Sequence, residues 1–321
     1  RGREAHAWLS PFRPSPRSIG PAATRSAFAV FTIHSRPRRH MALTDAGVLG
    51  AIGNTPLIEL RRVVPPGAAR VVAKLEWANP TGSMKDRLAR ATIDAAEADG
   101  RLRPGGTVVE YTAGTTGISL ALVCAARGYA LEIVFSDAFS DEKRRTMQAL
   151  GARITDVKSD GGRINAALIQ EMIRTAGQIS GRPGHWYHDQ LNNHDGIAGY
   201  LPLGDELWTQ AGGRIDAFVH SVSTAHSIHG VTQALWRHDP GIRVVAVEPA
   251  ESAVLSGGPS GVHGIEGTGP GFVVPLWVPG LAETIEQVST AEAITLANRT
   301  RPRTTSVTRS RTLPTWKTDG L

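Results

Sequence analysis

The segment "NPTGSMKDRLARATIDAAEADGRL", residues 79–102, combines a predicted helix start with a misplaced charge. Ser83 followed three residues later by Asp86 is typical of a capping box, and the apolar periodicity from Leu88 predicts the helix that it opens. Lys85 then lies in the first turn, where exposed backbone N–H groups disfavour a cation by about 0.3–1 kcal/mol. A lysine at this position needs a role that outweighs its electrostatic cost.

Outside this segment, short β-rich runs alternate with helical patterns, which predicts an α/β fold with mostly parallel, buried strands. Strands are predicted over residues 69–77, 107–113, 130–136, 217–222 and 243–249. Helices are predicted over residues 88–99, 116–127, 142–150, 163–177 and 226–236, and a further amphipathic helix over 288–298. Ligands of open α/β sheets bind where strands end and helices begin, so these junctions are the candidate sites.

Two strand-to-helix junctions carry small and hydroxyl residues. They are "EYTAGTTGISLALV" (110–123) and "AFVHSVSTAHSIHGVTQAL" (217–235). Backbone N–H groups at a helix N-terminus bind anions, so one turn is expected to hold a phosphate and the other a carboxylate. Strand-to-helix turns also need small residues for packing alone, and for each turn taken singly this alternative stays open.

The net charge of the chain is unevenly distributed. The 321 residues carry a formal charge of +6, but residues 1–40 carry +7 and residues 299–321 carry +5, which leaves −6 for residues 41–298. An acidic central part without a basic stripe excludes nucleic acid as its partner. No run of 18 apolar residues is present, so no membrane-spanning segment is predicted. The single cysteine, Cys124, cannot form an internal disulfide, and we expect a cytoplasmic protein.

The two ends of the chain differ in composition from its centre. Residues 1–40 are rich in Arg, Ser and Pro and nearly free of acidic residues, which is typical of a transit peptide. Their prolines would break a targeting helix, so we favour a disordered or non-native extension before Met41, with organellar targeting as the alternative. Residues 299–321 lack apolar periodicity and are predicted to be disordered. We interpret this change as a switched reading frame or an altered terminus.

Six motifs occur in an order that resembles one enzyme family. They are "IGNTPLIEL" (52–60), "KLEWANPTGSMKDR" (74–87), "TAGTTG" (112–117), "SDEKRRTMQALGA" (140–152), "DQLNN" (189–193) and "GIEGTGPGFVVP" (264–275). Together they resemble the cysteine synthase branch of the fold type II pyridoxal-phosphate enzymes, which includes the cystathionine β-synthases. The resemblance covers about residues 47–297 and is most specific at residues 79–87.

This resemblance implies two α/β domains with mostly parallel twisted sheets and the cofactor, pyridoxal 5'-phosphate, in the cleft between them. The smaller domain would comprise residues 41–56 and 79–189, with Lys85 and the substrate loop. The larger domain would comprise residues 57–78 and 190–298, with the phosphate loop. Residues 299–321 match nothing in the family, whose Ser- and Gly-rich turn facing the pyridine nitrogen is missing here.

The resemblance also answers the question that Lys85 raises. In the family, the lysine of this motif forms a Schiff base with the cofactor, and as a free amine it moves the α-proton of the substrate. The implied reaction is β-replacement on an O-activated serine by sulfide or a related nucleophile, giving cysteine or an analogue. Two alternatives stay open: a pyridoxal-phosphate-dependent serine/threonine dehydratase, and a catalytically impaired remnant with a binding or regulatory role.

Individual site residues follow from the motif matches. The substrate-binding residues implied are Thr112, Ala113, Gly114, Thr115, Thr116 and Gln190, and the cofactor-binding residues are Lys85, Thr115, Ser223, Thr224, Ala225, His226 and Ser227. Three positions depart from the family pattern. Ala113 and Thr115 stand where the family has serine and asparagine, and His226 replaces a glycine. His226 is expected either to contact the phosphate or to crowd it.

A histidine-rich stretch, "HWYHDQLNNHD" (185–195), raises the possibility of a metal site. No Cys or Glu ligand motif accompanies His185, His188, His194, Asp189 and Asp195, so we predict loop or interface roles and no metal. The expected partners are an amino-acid substrate, a small nucleophile and a second copy of the chain in a homodimer.

Overall fold

A computed structural model describes residues 47–164 and 166–300 of the chain. Residues 1–40 and 301–321 lie outside the described residues, so the predictions for the extension and for nearly all of the terminal segment stay predictions. No described helix combines the length and the apolar composition needed to cross a bilayer.

The described elements alternate between strands and helices. The strands are β1 (Leu57–Glu59), β2 (Val72–Lys74), β3 (Thr107–Tyr111), β4 (Ala130–Ser136), β5 (Arg153–Val157), β6 (His185–Tyr187), β7 (Ala217–Ser221), β8 (Arg243–Pro249) and β9 (Thr284–Val288). The helices are α1 (Lys85–Ala98), α2 (Thr115–Arg127), α3 (Asp141–Ala149), α4 (Ala166–Ser180), α5 (Asp195–Ala198), α6 (Leu201–Gln210), α7 (His226–His238) and α8 (Thr290–Thr300).

Parallel pairing dominates the sheets. Strands β5, β4, β3 and β6 form a four-stranded parallel sheet in that order, and β7, β8 and β9 form a three-stranded parallel sheet. Strands β1 and β2 form a separate antiparallel pair. All five residues of β3 are buried, and both α2 and α4 pack against this strand, as expected for a parallel sheet covered by helices. The predicted α/β fold with mostly parallel sheets is confirmed.

The predicted element boundaries are best where the apolar pattern is longest. Strands β4 and β8 match their predicted bounds, whereas the strand predicted over residues 69–77 shortens to β2 and helix α1 begins three residues before Leu88. Strands β1 and β6 have three residues each, too few to show a period, and are not among the predicted elements. The five-residue strands β5 and β9 and the helices α5 and α6 are missing from the prediction as well. The two parallel sheets fall within the predicted smaller and larger domains, but the domain division itself stays a prediction.

One apolar core connects the two parallel sheets. It packs Val109 of β3 and Val134 of β4 against Met172 of α4, and it continues to Ile228 of α7 and Val244 of β8. A second core packs α1 and α2 against the opposite face of β3 and β4. Because the first core is continuous, the ends of β3 and β7, which carry the two candidate loops, share one rigid frame.

An ion cluster anchors α1 on a different side. The guanidinium of Arg87, whose side chain is only 4% exposed, binds Glu76 Oε2 and Glu206 Oε1 at 2.8 Å each. Lys74 Nζ lies 2.7 Å from Glu206 Oε2 and completes the cluster. Two carboxylates therefore face two cations, so that no buried charge in the group lacks a counter-charge.

Candidate active site

The first turn of α1 presents Lys85, but not through the predicted capping box. Ser83 Oγ accepts a hydrogen bond from the N–H of Lys85 at 3.1 Å, whereas the Asp86 carboxylate binds the N–H of Thr81 at 2.8 Å and also its hydroxyl. The capping-box prediction is wrong in its partners. The reason is the turn at Gly82, whose φ of +77° folds the Thr81 amide back over the helix start, within reach of the short Asp86 side chain.

The amine of Lys85 has one hydrogen-bond partner in the described structure. Lys85 Nζ donates to Thr224 Oγ1 at 3.3 Å, and among the described residues no carboxylate lies within ion-pair distance of this amine. Burial without a counter-charge lowers the pKa of Lys85 to about 8. Near pH 8, about half of such amines are uncharged, which is the state needed to accept a proton.

The loop between β7 and α7 has the geometry of an anion site. Ala225 has a φ of +68°, a left-handed conformation that costs an alanine about 1–2 kcal/mol and that places the following N–H groups at the start of the 13-residue helix α7. Thr224 and Ser227 add hydroxyl groups, and His220 Nε2 lies 2.7 Å from Ser227 Oγ. Thr268 Oγ1 donates to the Val222 carbonyl at 2.8 Å and holds the loop from behind.

His226 is fully buried and uses both ring nitrogens within the protein. Its Nδ1 lies 2.8 Å from Thr224 Oγ1, and its Nε2 lies 2.8 Å from the carbonyl oxygen of Asn193. Burial, together with the neighbouring Lys85, lowers the pKa of His226 to about 3, so the ring is uncharged at neutral pH. A direct contact between this ring and a phosphate would require one of the two bonds to break, and the place of His226 in a cofactor site stays a prediction.

The loop between β3 and α2 is the predicted carboxylate site. Thr112 Oγ1 accepts a hydrogen bond from the N–H of Gly114 at 3.0 Å, and Gly114 has a φ of +150°, which L side chains rarely adopt. Ala113 and Thr115 are exposed at the tip of this loop, whereas Thr116 is buried. The loop therefore has a rigid base and an accessible tip.

Gln190 supports this loop from the neighbouring segment. Its Oε1 accepts a hydrogen bond from Thr116 Oγ1 at 2.8 Å, and its Nε2 donates to the Tyr111 carbonyl at 2.9 Å. A second contact, 3.3 Å between Thr81 Oγ1 and Ser119 Oγ, connects α2 to the segment that precedes Lys85. The structure thus places Gln190 beside the loop of residues 112–116 and bonds it to Thr116, while Ala113 and Thr115 stay exposed at the tip, and the binding roles of these residues stay predictions.

Behind Gln190 lies a buried pair that sequence reasoning did not identify. The Glu110 carboxylate contacts His188 Nδ1, and both side chains are fully buried. Glu110 Oε2 also accepts the N–H of Gln190 at 2.9 Å, while His188 Nε2 lies 3.0 Å from Thr92 Oγ1 of α1. Burial raises the pKa of Glu110 despite the neighbouring imidazole. The charged residue inside the apolar strand "TVVEY" was the only sequence signal of this pair.

A cation from α3 lies beside the substrate loop. Lys143 Nζ forms an ion pair with Glu266 Oε2 at 2.8 Å, and a Cβ atom on Gly114 would lie 2.3 Å from Lys143 Cδ. The glycine therefore leaves room for the lysine stem to cross the loop. The sequence alone does not reveal this contact, because 123 positions separate the two residues.

Two of the described histidines of residues 185–195 have partners other than a metal-ligand group. Within residues 47–164 and 166–300, no group of three or more His, Cys, Asp or Glu side chains is arranged to hold a metal ion. Asp195 pairs with Arg101 at 2.6 Å, and His185 Nδ1 lies 3.1 Å from the Pro183 carbonyl. His188 serves the buried pair with Glu110 described above.

Comparisons with known proteins agree with this geometry. The sequence pattern of the family described as "Pyridoxal-phosphate dependent enzyme" matches residues 48–310. The chain belongs to the pyridoxal-phosphate-dependent enzymes. A cysteine synthase of Staphylococcus aureus is 38% identical to this chain over 250 residues. The match covers 77% of this chain and 79% of the cysteine synthase.

Solved structures give the same result for this pyridoxal-phosphate-dependent enzyme. O-acetyl serine sulfhydrylase isoform 3 from Entamoeba histolytica matches with a TM-score of 0.74 and 36% identity, over 84% of this chain and 79% of that chain. O-acetylserine dependent cystathionine beta-synthase from Helicobacter pylori matches with a TM-score of 0.73 and 30% identity, over 81% and 83%. The resemblance to the fold type II cysteine synthases is confirmed.

The donor set of this enzyme fits pyridoxal 5'-phosphate. The cofactor needs an amine for its aldehyde and an anion site for its phosphate, and the amine of Lys85 lies 3.3 Å from Thr224 in the loop that starts α7. The ring of His226 does not fill this loop, because it is directed to the Asn193 carbonyl. Lys85 would hold the cofactor covalently, and the N–H groups at the start of α7 would hold its phosphate.

Proposed function

We propose that this chain catalyses pyridoxal-phosphate-dependent β-replacement on an O-activated serine such as O-acetylserine, with sulfide or a related nucleophile, to give cysteine or an analogue. The proposal rests on the environment of the Lys85 amine. This amine is desolvated, has no carboxylate partner among the described residues, and donates a hydrogen bond to the loop at the start of α7. The cysteine synthase and O-acetyl serine sulfhydrylase relatives support the choice of substrate.

When bound, the cofactor supplies an electron sink for the negative charge that develops at the substrate α-carbon. The chain supplies the proton acceptor. Lys85 Nζ takes the α-proton in its uncharged form, which burial makes accessible near pH 8. The activated oxygen group, acetate in the case of O-acetylserine, leaves from the β-carbon with its bonding electron pair, and the nucleophile forms the new bond there. Lys85 Nζ keeps the proton meanwhile and then returns it to the α-carbon. The hydroxyl of Thr224 holds the protonated amine in place as a hydrogen-bond acceptor.

Two helix starts bind the anionic groups. The N–H groups that follow Ala225, together with the hydroxyls of Ser223, Thr224 and Ser227, are proposed to bind the cofactor phosphate. The loop of residues 112–116 is proposed to bind the substrate carboxylate at the start of α2. Gln190 Nε2 donates one of its hydrogens to the Tyr111 carbonyl, and its second hydrogen is proposed as a side-chain donor to the substrate. Thr115 offers a single hydroxyl donor at the exposed tip, where it would contact cofactor and substrate.

The proposed reaction also indicates the partners of the chain. We propose a small amino-acid substrate, a small nucleophile and a homodimer. We also propose a cytoplasmic location, which is supported by the single buried thiol of Cys124. A compartment that keeps thiols reduced would preserve both this side chain and a cysteine product.

The test uses the full chain incubated with pyridoxal 5'-phosphate and freed of excess cofactor. We expect visible absorbance from the bound cofactor, labelling of Lys85 after borohydride reduction and peptide mapping, and cysteine formation from O-acetylserine and sulfide. Lys85→Ala should abolish all three signals. Lys158→Ala is the matched lysine control, because the Lys158 side chain is 79% exposed and its one ion pair with a described residue is that with Asp137.

The products separate the alternatives. A dehydratase would release a keto acid from serine or threonine and would form no cysteine. A catalytically impaired remnant would bind the cofactor at Lys85 and turn over neither substrate. Labelling at another lysine, or no labelling at all, would contradict the proposal itself.

A further inference from the structure

The hydrogen bonds of His226 determine which of its nitrogens carries a proton. The carbonyl oxygen of Asn193 can only accept, so the Nε2 atom of His226, 2.8 Å away, must donate. In the uncharged ring, Nδ1 then has no hydrogen and must accept. Its partner at 2.8 Å is Thr224 Oγ1, so the Thr224 hydroxyl donates its hydrogen to the imidazole.

This arrangement fixes the direction of the Thr224 hydroxyl. With its hydrogen directed at His226, the oxygen can only accept from its other neighbour, Lys85 Nζ, at 3.3 Å. We propose that His226 is a positioning residue that fixes the Thr224 hydroxyl as a hydrogen-bond acceptor for the Lys85 amine and so retains the amine beside the phosphate loop when it is not bound to the cofactor. The proposal rests on the proposed function, in which Lys85 is the reacting amine.

Packing keeps the imidazole in this orientation. The ring is fully buried, and it lies so close to α5 that a Cβ atom on Gly196 would be 2.7 Å from His226 Cδ2. Rotation of the ring would break both of its hydrogen bonds, to Thr224 and to Asn193, within this closely packed space. A glycine in the place of His226 would leave the Thr224 hydroxyl free to rotate and to donate its hydrogen to an uncharged amine.

The electrostatic surroundings of Lys85 consist mainly of imidazoles. Lys85 acts electrostatically on His220 of β7 and on His226 of α7, and burial lowers the pKa of His220 to about 4 and that of His226 to about 3. Beyond them, Glu76 acts on His220, and His188 and His194 act on His226. Both nearest rings are therefore uncharged between pH 6 and 10, and the hydroxyl of Thr224 is the direct partner of the amine in that range.

Two substitutions at this position separate the two bonds of the ring. An asparagine amide can place its oxygen near Nδ1 and keep an acceptor for Thr224, whereas a glutamine amide can place its nitrogen near Nε2 and keep only the donor to Asn193. His226→Asn should therefore retain the positioned hydroxyl, and His226→Gln should lose it. Both variants bury a polar amide, so they differ mainly in whether an acceptor for the Thr224 hydroxyl is kept.

The experiment measures how the reactivity of Lys85 toward acetic anhydride varies with pH in the full chain freed of cofactor, with peptide mapping by mass spectrometry. A hydroxyl fixed as an acceptor stabilises only the protonated amine, whereas a hydroxyl that is free to donate also stabilises the uncharged amine. The apparent pKa of Lys85 should therefore fall by about half to one pH unit in His226→Gln. His226→Asn should match the parent chain. Thr224→Val should shift the profile as His226→Gln does and should abolish the difference between the two His226 variants.

Equal profiles for His226→Asn and His226→Gln in the Thr224 background would overturn the proposal, as would a rise in the apparent pKa of Lys85 in His226→Gln. Thermal unfolding midpoints confirm that each variant is folded. A purely structural role of His226 would change those midpoints without separating the two profiles. Because no cofactor is present, the result does not depend on whether the proposed reaction occurs.

Discussion

Replacing Lys85 with methionine is expected to stabilise the cofactor-free chain at neutral pH. Burial lowers the pKa of Lys85 from 10.5 to about 8, and a difference of this size corresponds to about 3 kcal/mol of unfavourable free energy for the protonated amine. The hydrogen bond to Thr224, worth about 1 kcal/mol, is lost in the variant. The net expectation is a gain of about 2 kcal/mol in the free energy of unfolding at pH 7.

The pH dependence gives the sign of this effect. The unfolded chain keeps the proton up to its pKa of 10.5, whereas the folded chain releases it above about 8, so the stability of the parent chain rises between these values. Lys85→Met has no such group, so its advantage should be complete below pH 8 and should vanish between about pH 9 and 10. Above pH 10.5 the variant should be less stable by about 1 kcal/mol, the value of the lost hydrogen bond.

Urea unfolding of both chains at a series of pH values measures this difference. Lys158→Met serves as the control, because its side chain is 79% exposed and has no desolvation penalty to relieve. An advantage of Lys85→Met that does not change between pH 7 and 10, or a variant less stable than the parent at pH 7, would refute the reasoning. It would mean that the amine is solvated or has a counter-charge.

Three further substitutions test other parts of the structure. Arg87→Met leaves Glu76 without a cation and Glu206 with Lys74 alone, so it should lower the free energy of unfolding by about 3–5 kcal/mol. Arg61→Met, with a side chain 81% exposed, should change it by less than about 0.5 kcal/mol, as measured by urea unfolding. Ala225→Gly removes left-handed strain and should stabilise the cofactor-free chain by up to about 1 kcal/mol, and a loss of stability in the same assay would contradict it. Gln190→Ala should raise the KM for O-acetylserine about tenfold or more with a smaller change in kcat, measured by initial rates, because the proposed contact is to the substrate carboxylate.

The parts of the site that could be predicted lie close together in sequence. Lys85 and its helix, the loop of residues 112–116 and the loop of residues 223–227 are each contained in one strand-to-helix or loop-to-helix junction, where local chemistry determines the backbone. The capping-box error shows the limit of this local reading. The partner of Asp86 depends on the left-handed turn at Gly82, and a three-residue spacing does not encode that turn.

The contacts that could not be predicted join distant segments. Glu110 and His188 are 78 positions apart, and they meet because β3 and β6 pair in parallel, with Val109 opposite Tyr187. Strand β6 has only three residues, so its pairing follows from the tertiary fold and not from any period in the sequence. A carboxylate in a buried strand does predict that some partner must exist, but it does not identify that partner.

Helix α1 carries two residues, Lys85 and Arg87, that contact distant segments of the chain. Lys85 and Arg87 are two positions apart and so point to nearly opposite sides of the helix, about 200° apart. Lys85 faces Thr224, whereas Arg87 binds Glu76 and Glu206, and all three of these partners belong to the predicted larger domain. The helix of the predicted smaller domain is thus held against the larger one on two sides. A change at Arg87 should therefore weaken cofactor retention as well as stability, because the distance between the amine of Lys85 and the phosphate loop depends on where α1 lies.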